Sequence, residues 1–214
     1  MSPQNVATRK LVLFVGAFAD AIPGGTVGGQ IYACRSVIDS SLSKHVDWRL
    51  IDSSMKSIPP PPMLARGGLA AQRCYQVFTE LRKNVPDAAL IFTSYAWTGL
   101  LEKAFMTRLC RLFNVPVVIS IRSEVRRLPL NRLLLLVLRR IILDCRAIWC
   151  QSLATKESLN KVLPAQSAKF TVIPNWIDTA KYPPKADYNY ALGKPLRLLF
   201  MSRVSRDKGI FEFR

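Results

Sequence analysis

Three short stretches hold the residue types that could handle an anionic ligand. The first is "PGGTVGGQIYACRSVI" (residues 23–38), which follows an apolar run and leads into helical spacing at Ile31, Cys34, Arg35 and Ile38. Glycines at such a point let the backbone approach a ligand, and the unpaired N–H groups of a helix start attract an anion. The spacing is GG-x-x-GG, not the G-x-G-x-x-G of a dinucleotide site. It reads either as a phosphate-binding loop or as a flexible turn. The second stretch is "VISIRSEVRR" (residues 118–127), where Arg122, Ser123 and Glu124 directly follow an apolar run. Ligands of open α/β sheets sit at the carboxyl ends of the strands. These three residues therefore meet substrate, or form a solvated loop whose Glu124 balances its arginines. The third is "LRLLFMSRVSRDKGIFEFR" (residues 196–214), in which Arg203 follows a strand-like run and Lys208-Gly209 precedes a helix start. Two cations beside a helix start can clamp a pyrophosphate; an ordinary polar loop is the alternative. A further stretch, "VIPNWIDTAKY" (residues 172–182), reads as a structural turn in which Pro174 and Asn175 end a strand.

The elements that must position these residues show in the spacing of apolar runs. Runs begin at Leu11, Ala88, Pro116, Ala147, Phe170 and Leu196, with a weaker alternating one at Asp47. Strands apolar on both faces belong to a parallel sheet covered by helices on both sides. Between them lie helical spacings. Leu64, Cys74, Val77, Phe78 and Leu81 share one face, with Arg66, Arg73 and Arg82 expected in solvent. Leu130, Leu133, Leu134, Val137, Leu138, Ile141 and Ile142 share another. The alternation predicts an α/β fold, a Rossmann-like, doubly wound, mostly parallel sheet. "SIPPPPM" (residues 57–63) is a stiff extended loop, since four prolines remove four backbone donors. Residues 178–195, with prolines, tyrosines and mixed charge, read as a linker. They divide a first domain, 1–177, from residues 196–214, the first strand and turn of a second Rossmann-like domain.

Composition narrows the function. The 214 residues carry 31 Lys+Arg against 14 Asp+Glu, a net charge of +17. That argues for an anionic partner, whether nucleic acid, lipid surface or phosphate-bearing substrate, and not for a fold. The cations are spread out, which weakens the case for a nucleic-acid-binding tail. Five cysteines with no C-x-x-C pair read as reduced core thiols in a cytosolic protein. One histidine, His45, rules out a His-rich zinc site. The most lipophilic stretch, residues 128–143, is broken by Arg132, Arg139 and Arg140 and falls short of the ~20 residues of a membrane span. It reads as core packing or as a face drawn to anionic lipid.

In order along the chain stand "GGQIYACRSVI", "CQSLATKESL", "VIPNWIDTAKY" and "LLFMSRVSRDKGIFEF". Together they resemble the family-4 retaining glycosyltransferases of GT-B fold, in which two Rossmann-like domains face each other across a cleft. The resemblance implies an acceptor-side domain at 1–177 and the start of a donor-side domain at 196–214. It implies transfer of a sugar, as by a hexosyltransferase, from a nucleotide-sugar donor to a saccharide or lipid-linked acceptor in cell-surface polysaccharide or glycolipid synthesis. The nucleotide-sugar is then a substrate, and the resemblance implies neither a cofactor nor a metal, since that fold holds the diphosphate with Arg, Lys and helix dipoles. Gly28 and Gly29 would meet the donor pyrophosphate. Arg203 and Lys208 would grip the donor phosphates and stabilise the charge on the departing diphosphate. Many members carry a histidine at the end of the fourth strand; here the place reads Ser120-Ile121-Arg122, which makes Arg122 a catalytic candidate beside the acceptor-side Ser123 and Glu124. The family's E-x7-E region would lie beyond residue 214, so the chain is expected to be a truncated fragment without activity of its own. A cytoplasmic place is expected, with peripheral contact at the inner face of the membrane. The competing reading, a non-catalytic polyanion- or nucleic-acid-binding α/β protein, explains the charge but not the ordered motifs. It also lacks an aromatic RNA-binding platform or a helix-turn-helix pattern.

Overall fold

In a computed structural model, residues 9–19, 29–54, 57, 61–93, 97–122 and 132–176 are described. The chain divides into two units, Met1–Ile177 and Asp178–Arg214, and every described residue lies in the first. Six strands form one sheet: β1 (Lys10–Gly16), β2 (Val46–Asp52), β3 (Ala88–Thr93), β4 (Val117–Ile121), β5 (Ala147–Cys150) and β6 (Phe170–Val172). Their order is β2-β1-β3-β4-β5-β6, and every pairing is parallel. The helices are α1 (Gly29–Ile38), α2 (Met63–Lys83), α3 (Trp97–Leu112), α4 (Arg132–Asp144) and α5 (Leu153–Val162).

Alternation along the strands feeds two cores. Leu13 and Val15 of β1 turn to one side, where α2, α3, α4 and α5 contribute Leu81, Met106, Leu138 and Leu159. Phe14 turns to the other, where α1 contributes Ala33, Cys34 and Val37. A strand buried on both faces needs apolar residues at every position, which is why the runs at Leu11 and Ala88 read continuous. Helices on both faces make the sheet doubly wound, as its sequence predicts. β1→α1→β2 runs one way across the sheet and the later crossovers run the other, so the order reverses between β1 and β3.

Local chemistry sets the helix ends. Ser152 caps α5, its side chain accepting from Thr155 N at 3.2 Å. Asn114, at φ 58°, turns the chain after α3, a conformation asparagine tolerates better than most residues. Lys169 Nζ donates to the carbonyls of Ile142, Leu143 and Cys145 and so satisfies the end of α4.

Three helix expectations need correction. Leu64 is 92% exposed, because only Val77 and Leu81 of α2 reach full burial and the first half of that helix does not cover the core. Arg73, expected in solvent, is held against α3. Its Nε and Nη2 donate to Glu102 Oε1 and Oε2 at 2.6 and 3.0 Å, and only 15% of its side chain is exposed. On α4, Leu134, Leu138, Ile141 and Ile142 are buried as expected, whereas Leu133 faces outward. Leu130 lies outside the described residues.

Candidate functional site

The strand order reverses between β1 and β3, and open α/β sheets take their ligands at the carboxyl edge beside such a reversal. On its β1 side the close approach of α1 decides the residue. A Cβ on Gly16 would meet Cys34 Sγ at 2.7 Å and Phe18 Cζ at 3.0 Å. Glycine is thus required by packing at the last position of β1. Cys34 Sγ in turn accepts from Ala17 N at 3.4 Å, and burial pushes its thiol up to about 11. Asp52, ending β2, organises the chain that leaves β1. Its Oδ1 accepts from Phe18 N at 3.0 Å and Ala19 N at 3.4 Å, and from Ser54 N at 3.0 Å. Ser54 Oγ donates to the same carboxylate and accepts from Ala19 N at 3.2 Å. These bonds hold Phe18 and Ala19 against the end of β2.

On the far side, three consecutive strand ends converge. Arg122, just past β4, donates its N–H to Thr93 O at 2.9 Å. Its guanidinium carbon lies 5.6 Å from the centre of the Phe92 ring and 5.2 Å from that of Trp176. Its Nη2 donates to Asn175 Oδ1 at 2.5 Å, and Gln151 Nε2, just past β5, donates to the same oxygen at 2.6 Å. Burial lowers the pKa of the half-buried Arg122, yet a guanidinium remains a cation in a protein. The result is a positive group held between two aromatic faces at the carboxyl edge.

Of the sequence-predicted residues, the structure describes two. Arg122 stands at the carboxyl edge as its position after β4 requires. Gly29 is the first residue of α1, and a Cβ there would meet nothing within 4 Å, so packing does not demand a glycine. Gly28, Ser123, Glu124, Arg203 and Lys208 lie outside the described residues. Asp52, Gly16, Gln151, Asn175 and Trp176 were not singled out as site residues by sequence reasoning. The available signal was position: each ends a strand or follows one within a few residues. Among the described residues no group of three His, Cys, Asp or Glu could hold a metal ion. No described helix is long and apolar enough to cross a membrane. A groove of about 480 Å³ runs beside the edge strand β2, lined by Arg49, Asp52, Gln72, Glu80 and Lys83 among others, and so stands apart from the Arg122 cluster.

Among solved structures the chain is similar to Anabaena Alr3699/HepE in complex with UDP and glucose. The identity is 14% and the TM-score 0.49, over 81% of this chain and 46% of that one. HepE in complex with UDP-glucose matches at 13% identity and a TM-score of 0.47, with the same coverage. The chain thus spans about half the length of the solved structures it matches. No protein of curated function matches it. The sequence profile of Glycosyltransferase Family 4 matches residues 46–181, from the start of β2 past the Arg122 cluster and the end of β6. That span covers more than half of the 214 residues, and the chain belongs to glycosyltransferase family 4.

Proposed function

We propose that the protein takes part in transferring a sugar, a hexose, from a nucleotide-sugar donor to an acceptor hydroxyl in cell-surface polysaccharide or glycolipid synthesis. The observation that supports this is membership of the family over residues 46–181. In this reading residues 1–177 form the acceptor-side domain, 178–195 a linker and 196–214 the start of the donor-side domain. Gly28, Gly29, Arg203 and Lys208 meet the donor phosphates. Fixed cations there stabilise the negative charge that builds on the departing diphosphate. Arg122, Ser123 and Glu124 face the acceptor side. The nucleotide-sugar is a substrate, so the reaction needs no cofactor.

No E-x7-E spacing occurs within the 214 residues. We therefore expect no turnover from these residues alone and full activity only with a donor-side sequence that supplies it. The test reads the coding sequence after Arg214 and assays the chain with and without it, using a panel of nucleotide-sugars that includes UDP-glucose. Turnover by the 214 residues alone contradicts the need for a donor side. A downstream frame without E-x7-E contradicts the family assignment of the phosphate clamp.

The same reading places the protein in the cytoplasm, at the inner face of the membrane. What supports this is the outer surface of the adjacent helices α3 and α4. Leu101, Phe105, Leu112, Leu136 and Leu143 are exposed there beside the exposed Arg108, Arg132, Arg139 and Arg140. Apolar side chains interspersed with cations suit an anionic lipid surface. Flotation with phosphatidylglycerol vesicles is expected at low salt and to weaken at high salt. An absence of binding at low salt removes the membrane from the proposal.

A further inference from the structure

The chain leaving β6 is held by side chains rather than by the sheet. Among the described residues, Ile173 N makes the last backbone hydrogen bond to the sheet edge, to Cys150 O at 2.8 Å. Asn175 and Trp176, two and three residues on, both meet Arg122, which projects from β4, two strands away. Asn175 Oδ1 accepts from Arg122 and from Gln151 together, so its oxygen is aimed at both. Trp176 packs with the core that holds Phe14 and Phe92.

We propose that Arg122 is a positioning residue: its guanidinium, stacked between Phe92 and Trp176 and bonded to Asn175, pins residues 173–176 across the ends of β4, β5 and β6. Residues 173–176 are the last described residues of the first unit, so the pin holds the end of that unit's described chain against the sheet. A planar cation suits this use, because it stacks on two rings while its edge donates to an amide oxygen. An ammonium is a compact point charge and cannot do both. The proposal concerns the chain's own geometry and does not depend on the reaction it serves.

The experiment uses the 214-residue protein labelled with 5-fluorotryptophan. Its four tryptophans give four ¹⁹F resonances, assigned by single Trp→Phe variants. Hydrogen exchange of the segment 170–176 is followed in parallel. In Arg122→Ala the Trp176 resonance is expected to move and narrow, and the segment to exchange at least ten-fold faster. The Trp48 resonance and exchange in β1 should stay as they are. Arg122→Lys is expected to behave like Arg122→Ala. Asn175→Ala should give the same local change, whereas Asn175→Asp, which keeps an oxygen for both donors, should restore the native resonance. If Arg122→Ala unfolds the whole protein, the two Asn175 variants decide. An unchanged Trp176 resonance and unchanged exchange in Asn175→Ala overturn the proposal, as does full rescue by Arg122→Lys.

Discussion

Glu102 is the carboxylate whose loss should be felt most. It lies between Arg73 of α2 and its own neighbour Lys103, accepting two bonds from Arg73 and one from Lys103 Nζ at 3.2 Å. Exposure of the Glu102 and Lys103 side chains is 7% and 5%, so water cannot replace the lost partner. Removing one member of a buried ion pair costs about 3–5 kcal/mol, because the remaining charge is stranded. Glu102→Gln keeps the volume and one acceptor oxygen, so we place its cost near the lower end, about 3 kcal/mol. That is a large share of the ~5–15 kcal/mol by which domains are stable. The pH dependence gives a second handle. Burial lowers the pKa of Lys103 from its ordinary 10.5, and Glu102 opposes that shift. Without Glu102 the folded-state pKa falls further. Between that value and 10.5 the unfolded chain binds more protons than the folded one, so stability rises with pH. Lys103 of the intact protein is lowered too, so the deficit of Glu102→Gln shrinks only where the pH lies between the two folded-state pKa values. Compared at pH 7 and pH 9 it should not grow, and any shrinkage is at most about 1.4 kcal/mol per pH unit. Urea unfolding followed by circular dichroism at both pH values reads both quantities. A loss below about 1 kcal/mol at pH 7, or a deficit that grows with pH, refutes the reasoning.

Three other perturbations test separate parts of the fold. Gly16→Ala puts a methyl 2.7 Å from Cys34 Sγ and should cost about 1–3 kcal/mol by overpacking, with partial recovery in the Cys34→Ala background, as read by thermal melting. The side chain of Asp144, 1% exposed, is ringed by Arg108, Arg111 and Arg140. Asp144→Asn should lower the urea midpoint by the equivalent of about 1–2 kcal/mol, since it weakens charge-assisted bonds to three arginines that are themselves about half exposed and can turn to water. Burial pushes Cys110 up to about 12 and Cys34, Cys145 and Cys150 up to about 11, while Cys74 is only half-buried. At pH 8 the folded protein should therefore release colour from Ellman's reagent slowly and through Cys74 first, with all five thiols reacting once guanidinium unfolds it.

The strands were legible because burial on both faces leaves little choice of residue. Each apolar run from Leu11 to Phe170 became a parallel strand, and even the alternating "DWRLID" did. β2 alternates for a physical reason: it is the edge of the sheet, and of its seven residues only Ile51 is fully buried. The helices were legible in existence but less so in detail. Helical spacing shows which residues share a face, yet not how far along the helix the core extends. Leu64 fits the apolar stripe of α2 but sits where nothing covers it. Arg73 breaks the stripe and reads as solvated. Its partner Glu102 lies 29 positions away on another helix, beyond the reach of any local pattern.

The carboxyl edge shows the same limit more sharply. Sequence position alone places Arg122 there, after an apolar strand, and offers two uses for it: meeting a ligand or idling in solvent. Neither includes what its side chain actually touches. Asn175 and Gln151 lie 53 and 24 residues from their partners in this cluster, and each looks like an ordinary turn residue in its own segment. Only the parallel register brings them together, because β4, β5 and β6 are sequential neighbours whose ends must lie side by side. Once that register is known, the residue after each strand becomes a neighbour of the residue after the next. A cation, an amide donor and an amide acceptor at three such places then form a network. The same rule applied to β1 and β2 pairs Gly16 with Asp52 in register and explains why that carboxylate reaches the amides of Phe18 and Ala19. Reading strand ends as a row, rather than each loop by itself, is thus the step that would have drawn Asp52, Gln151 and Asn175 out of the sequence.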